Sequence, residues 1–111
     1  MWLGYEKQIT GKYFITGTDT RDDLHLSYKL RSGDYIGRAP GNVLQYGFND
    51  TFLVAKTKNS QNDFASYYLI DMTKDSEYAQ EKDFLIGPLS DEDFESHYSS
   101  LLQVKFKNVQ P

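Results

Sequence analysis

From Leu24 to Arg31 the chain reads Leu-His-Leu-Ser-Tyr-Lys-Leu-Arg, with apolar and polar residues alternating without a break. Successive side chains of an extended strand point to opposite faces, so this segment sorts cleanly only as a strand. Leu24, Leu26, Tyr28 and Leu30 then share one face, and His25, Ser27, Lys29 and Arg31 share the other, which should be wet. A lone amphipathic strand cannot bury its apolar row. It needs strands beside it and a second layer over it.

The rest of the chain supplies candidate neighbours. Lys12–Thr16, rich in aromatic and β-branched residues, lies between Gly11 and Gly17. Tyr35-Ile36 is a short run halted by Gly37 and the Ala39-Pro40-Gly41 turn. Val43–Phe48 reads as a strand whose internal Gly47 marks a bulge. Thr51–Lys56 and Ser66–Met72 are nearly continuous apolar runs, the pattern of central strands covered on both faces. The polar stretch between them is a long hairpin loop. Tyrosine, phenylalanine and tryptophan make up 15% of the chain, which suits pleated, half-buried surfaces.

Past Thr73 the composition turns polar, and Ser76 is placed to cap a single helical turn. Phe84-Leu85-Ile86 is a further short apolar run before Gly87-Pro88. Ser90-Asp91-Glu92-Asp93 is then a helix start, with a capping serine and three acids at the positive end of the helix dipole. Phe94, Tyr98, Leu101 and Leu102 come next at helical spacing. Val104 and Phe106 alternate with lysines in one more strand or an extended tail. The expected fold is α+β: one domain over residues 1–111, a mainly antiparallel meander of about six strands with one C-terminal amphipathic helix packed on the sheet. Leu26, Tyr28, Phe52, Val54, Tyr68, Ile70 and Phe94 are the expected core.

Composition narrows function mainly by exclusion. The net charge is −4 and the 12 basic residues are scattered, so nucleic acid and anionic membrane surfaces are poor partners. A chain without cysteine has no disulfide, thiolate metal site or cysteine nucleophile. The acidic loop of Asp19, Asp22 and Asp23 lacks the glycine and distal glutamate of an EF-hand. The Asp91, Glu92, Asp93 and Glu95 cluster is helix N-terminal charge. His25 and His97 stand alone, and no nucleophile elbow or phosphate-binding glycine pattern occurs. No catalytic residue, metal ligand or cofactor is expected. Asn49-Asp50-Thr51 meets the glycosylation pattern, but reads first as an exposed turn.

No 18-residue apolar stretch and no signal peptide is visible in the chain. Its opening, Met1-Trp2-Leu3, admits two readings: the remnant of a membrane anchor behind an added methionine, or a first strand tucking Trp2 and Leu3 into the core. The partner-binding residues expected from sequence are Asp19, Arg21, Asp22 and Asp23. They sit on a loop between two strands and offer charges of both signs to a protein partner.

The succession GDYIGRAPGNVLQYGFNDTFLVAKT, SYYLIDM and IGPLSDEDF resembles a bacterial family of small uncharacterised domains, many carried behind a lipoprotein signal or a single membrane anchor. The matching positions are Pro40, Val43, Ala55-Lys56, Tyr67-Tyr68 and Gly87-Pro88-Leu89. They are turn and strand punctuation within residues 33–94. The resemblance implies no activity and no catalytic residues. It implies a non-enzymatic binding module of a bacterial cell envelope, attached through an anchor this chain does not show. The alternative expectation is a cytoplasmic, acidic inhibitor or immunity-type protein that binds a basic partner.

Overall fold

In the computed structural model, residues 5–17, 24–58, 64–98, 100 and 104–109 are described. Two antiparallel sheets form in succession along the chain. The first contains β1 (Tyr5–Thr10), β2 (Tyr13–Gly17), β3 (Leu24–Lys29) and β4 (Tyr35–Gly37), in that spatial order. Residues 38–41 carry the chain across to β5 (Asn42–Phe48), which begins a second run through β6 (Phe52–Lys58), β7 (Ala65–Asp71) and β8 (Leu85–Leu89). A two-residue strand, β9 (Lys107–Asn108), returns to the outer side of β5, giving the order β8-β7-β6-β5-β9. The described residues also include two short helices, α1 (Glu81–Phe84) and α2 (Asp91–His97).

The α+β, antiparallel expectation holds, but the single six-stranded meander with one helix does not. The described residues form nine strands in two sheets, with two helices. Size explains why. Six strands at about 4.8 Å spacing span roughly 24 Å, whereas seven helical residues cover only about 10 Å of length. So short a helix cannot close a sheet that wide, and a second sheet does it instead. One core therefore draws Tyr13, Ile15, Leu24, Leu26 and Tyr28 from the first sheet and Val43, Tyr46, Leu53, Ala55 and Ile70 from the second.

The outer face of the second sheet is covered separately. Val54, Tyr67 and Leu69 meet Phe94 of α2, together with Val104 and Phe106 of the C-terminal segment. Tyr67 and Phe94 stack with ring centroids 4.3 Å apart and planes 3° from parallel. β6 and β7 are thus sheathed on both sides, as their continuous apolar runs require. Ser90 caps α2 as its position predicts: its hydroxyl accepts the Asp93 amide at 3.1 Å.

Of the seven expected core residues, Leu26, Tyr28, Val54, Tyr68, Ile70 and Phe94 are buried; Phe52 is half-buried at the start of β6. The outer face of β3 is not uniformly wet. Ser27 is buried and shares a 2.8 Å hydrogen bond with Thr16 of β2. That face also carries an aromatic pair, Phe14 and Tyr35, in edge contact at 5.4 Å. Ser76 caps no helix. The helical turn begins at Glu81, where the Asp83 carboxylate accepts the Gln80 amide at 3.2 Å. The irregularity in β5 falls between Val43 and Gln45, not at Gly47. Gly47 has a different reason to be glycine: a β-carbon there would lie 2.8 Å from the Lys105 carbonyl oxygen.

Candidate functional site

The segment between β7 and α1 is polar in sequence, yet a buried ionic centre binds it to the first sheet. Arg38, just past β4, donates from Nε to Asp75 Oδ2 at 2.9 Å and from Nη2 to the Ser76 carbonyl at 2.9 Å. Tyr13 of β2 donates its hydroxyl to the same Asp75 oxygen at 2.8 Å, and the Ser76 amide donates to Oδ1 at 2.8 Å. The Arg38 and Asp75 side chains are 5% and 0% exposed. The guanidinium carbon sits 4.9 Å from the Tyr28 ring centroid and 4.7 Å from that of Phe84, so the cation is held between two aromatic rings. Burial, and next the Asp75 hydrogen bond, push the Tyr13 hydroxyl far above the ordinary tyrosine pKa. Burial and the Asp75 charge also raise Tyr28.

So enclosed a centre is structural: no substrate reaches the carboxylate. Its effect falls on the residues immediately C-terminal to Asp75. The Glu77 carboxylate accepts the Arg31 amide of the β3–β4 turn, and Glu77 Oε2 lies 3.8 Å from Arg31 Nε. With Asp75, Ser76 and Glu77 all tied to the first sheet, Tyr78 projects into solvent at 91% exposure. Beside it runs a groove of about 350 Å³, lined by Leu30, Arg31, Ser32, Ile36, Glu77 and Tyr78. The floor is apolar, one wall is an ion pair, and the rim is a tyrosine on an anchored backbone. Tyrosine and arginine are the side chains that most often anchor protein interfaces.

The candidate residues read from sequence, Asp19, Arg21, Asp22 and Asp23, lie outside the described residues. Their two flanking strands are described, and Gly17 and Leu24 pair directly across β2 and β3. Leu24 begins β3, whereas Leu30 and Arg31 of the Tyr78 groove follow its other end. Met1, Trp2 and Leu3 also lie outside the described residues, as do Leu101 and Leu102 of the expected helix stripe.

His25 and His97 are both exposed, on β3 and α2. Asp91 accepts a hydrogen bond from the Tyr67 hydroxyl, which with burial pushes that tyrosine up to about 12, so this acid also has a structural part. The Asn49 side-chain oxygen accepts the amides of Thr51 and Phe52 at 2.9 and 2.7 Å, building the β5–β6 turn. Among the described residues, no group of three or more His, Cys, Asp or Glu is placed to hold a metal ion.

Sequence reasoning missed Arg38, Asp75 and Tyr78. A long-range ion pair leaves no local pattern, and Arg38 passes for a turn residue among Gly37, Ala39 and Pro40. Tyr78 did carry a signal, as the one aromatic ring within the polar run from Lys74 to Lys82.

Among the described residues no helix is long and apolar enough to cross a membrane. Comparison of the chain with protein-family models, curated proteins and solved structures yields no match.

Proposed function

We propose that this domain is a non-enzymatic interaction module that engages a protein partner through the surface around Tyr78. The observation that carries the reading is a tyrosine at 91% exposure on a segment whose preceding residues are fixed by a buried ion pair. Exposing a large ring on an anchored backbone costs apolar contact with water, yet spares most of the ordering entropy that binding otherwise demands. The sheet edges favour a side-chain surface over strand addition. β1 is bulged between Gln8 and Thr10 and carries Glu6 and Lys7, β4 and β9 are very short, and β8 contains Pro88. A place at a bacterial cell envelope is supported by the sequence resemblance alone.

The test is a photo-crosslinking amino acid placed at position 78 in the native host, with position 96 on exposed α2 as the control. We expect a discrete adduct at 78 and none at 96. Its partner, once purified, should bind the Tyr78→Ala chain at least tenfold more weakly, about 1.4 kcal/mol. The same adducts at both positions, or unchanged affinity of the variant, would overturn the reading.

The net charge of −4 favours a second reading, an acidic inhibitor or immunity-type protein that binds a basic partner through the loop of Asp19, Arg21, Asp22 and Asp23. Replacing these four with alanine together should then weaken binding tenfold and reduce its salt dependence, with stability within about 0.5 kcal/mol of wild type.

A further inference from the structure

A second groove opens at the far edge of the core, where β5 meets the C-terminal segment. It is lined by Tyr46, Gly47, Phe48, Val104, Lys105 and Lys107 and encloses about 350 Å³. Register explains the assembly. Tyr46 pairs directly with Lys107, so the two share a face of the sheet. Phe48 and Lys105 sit two residues along from each, which brings both back to that face. Lys7 of β1 approaches from the other sheet, its Nζ 6.0 Å from the Tyr46 ring centroid.

Two features of this groove are not accounted for by the described residues. The first is charge. The chain is acidic overall, yet among the described residues no carboxylate lines the groove and no ion pair engages Lys7, Lys105 or Lys107. Lysines along a groove with no described carboxylate make the local potential positive on an otherwise acidic chain. The second is Tyr46. The residue is only 3% exposed, and buried tyrosine hydroxyls normally find a hydrogen-bond partner. This one makes no hydrogen bond to the described residues and is not sealed from solvent. Phe48 beside it is an apolar wall, 38% exposed.

We propose that this groove is a binding site for a small aromatic carboxylate. The ring would lie against Phe48, on the face shared with Tyr46, and the carboxylate would accept a hydrogen bond from the Tyr46 hydroxyl with Lys105 and Lys107 beside it. The volume is at the small end of ligand sites, which run from about 300 to 1,000 Å³. One ring and one anionic group fit; a helix or an extended peptide does not. The site stands apart from the Tyr78 surface and does not depend on it.

The experiment is a titration of the ¹⁵N-labelled chain with phenylacetate, followed by amide chemical shifts, with neutral phenylacetamide as the matched control. Saturable shifts confined to the Tyr46–Phe48 and Val104–Asn108 amides are expected, with Kd in the millimolar range or tighter. Phenylacetamide should bind at least tenfold more weakly. The double variant Lys105→Gln/Lys107→Gln should lose at least tenfold while keeping a wild-type spectrum elsewhere, since both lysines are exposed. Tyr46→Phe, which keeps the ring in the core, should weaken binding several-fold. Absence of saturable shifts at about 10 mM phenylacetate, an equal response to the amide, or an unaffected double variant would each overturn the proposal.

Discussion

Replacing Arg38 with methionine isolates the ionic centre from the packing around it. The methionine stem keeps most of the contact with the Tyr28 and Phe84 rings, which flank the guanidinium at 4.9 and 4.7 Å, while the charge and its donors are lost. Asp75, at 0% side-chain exposure, would keep only Tyr13 and the Ser76 amide as partners. The Ser76 carbonyl would lose the Arg38 Nη2 donor. Breaking a buried pair from one side typically costs about 3–5 kcal/mol, because the remaining charge stays buried without compensation. For a domain this size that lowers Tm by roughly 12–20 °C. Urea unfolding followed by far-UV circular dichroism should show a lower midpoint with an unchanged slope. The double variant Arg38→Met/Asp75→Leu should recover much of the loss, since it removes the stranded charge. A cost below about 1 kcal/mol for Arg38→Met would show that the pair does not hold the segment.

Packing and the buried tyrosines set three further outcomes. Ile70, fully buried in the central strand β7, should cost about 2–5 kcal/mol on truncation to alanine, measured by the same unfolding assay. Burial and, for each, a neighbouring acid raise Tyr13 and Tyr28, and take Tyr35 and Tyr67 up to about 12. The folded state therefore holds protons that the unfolded chain releases near pH 10. Stability should be level below that and fall as pH rises beyond it; Tyr13→Phe should cost about 1–3 kcal/mol at neutral pH and make the alkaline decline shallower. Gly47→Ala, whose β-carbon would meet the Lys105 carbonyl oxygen at 2.8 Å, should displace the C-terminal segment, cost about 1–3 kcal/mol, and speed exchange of the Val109 amide, which donates to the Leu44 carbonyl.

Features that rest on short-range pattern could be read from the residues. The alternation of Leu24 to Leu30, the unbroken apolar runs of β6 and β7, and Ser90 ahead of three acids each arise from local periodicity or capping. All three appear where those patterns put them. The division into two sheets was not legible, because residues 38–41 look the same whether the chain turns back beside β4 or crosses to a second layer. Coverage decides between these, and it became plain only when α2 ended at His97. The buried polar pairs were invisible for a related reason. Ser27 reads as a wet residue until Thr16 is known to face it, and Arg38 finds Asp75 only once β5, β6 and β7, which separate them in sequence, have folded. Charged residues attract attention in sequence when they cluster. Here the pair that organises a surface is dispersed, while the clustered acids Asp91 to Asp93 serve mainly the end of one helix.

The central claim is that residues 75–78 form a pre-organised surface, and backbone ¹⁵N relaxation tests it without any partner. If the Arg38–Asp75 pair and the Arg31–Glu77 contact anchor this segment, the Glu77 and Tyr78 amides should give order parameters near about 0.85, like those of the flanking β7. In the Arg38→Met chain they should drop below about 0.6. Low order parameters at Glu77 and Tyr78 in the wild-type protein would contradict the account, since a ring on a loose tether gains no advantage from the buried ion pair beneath it.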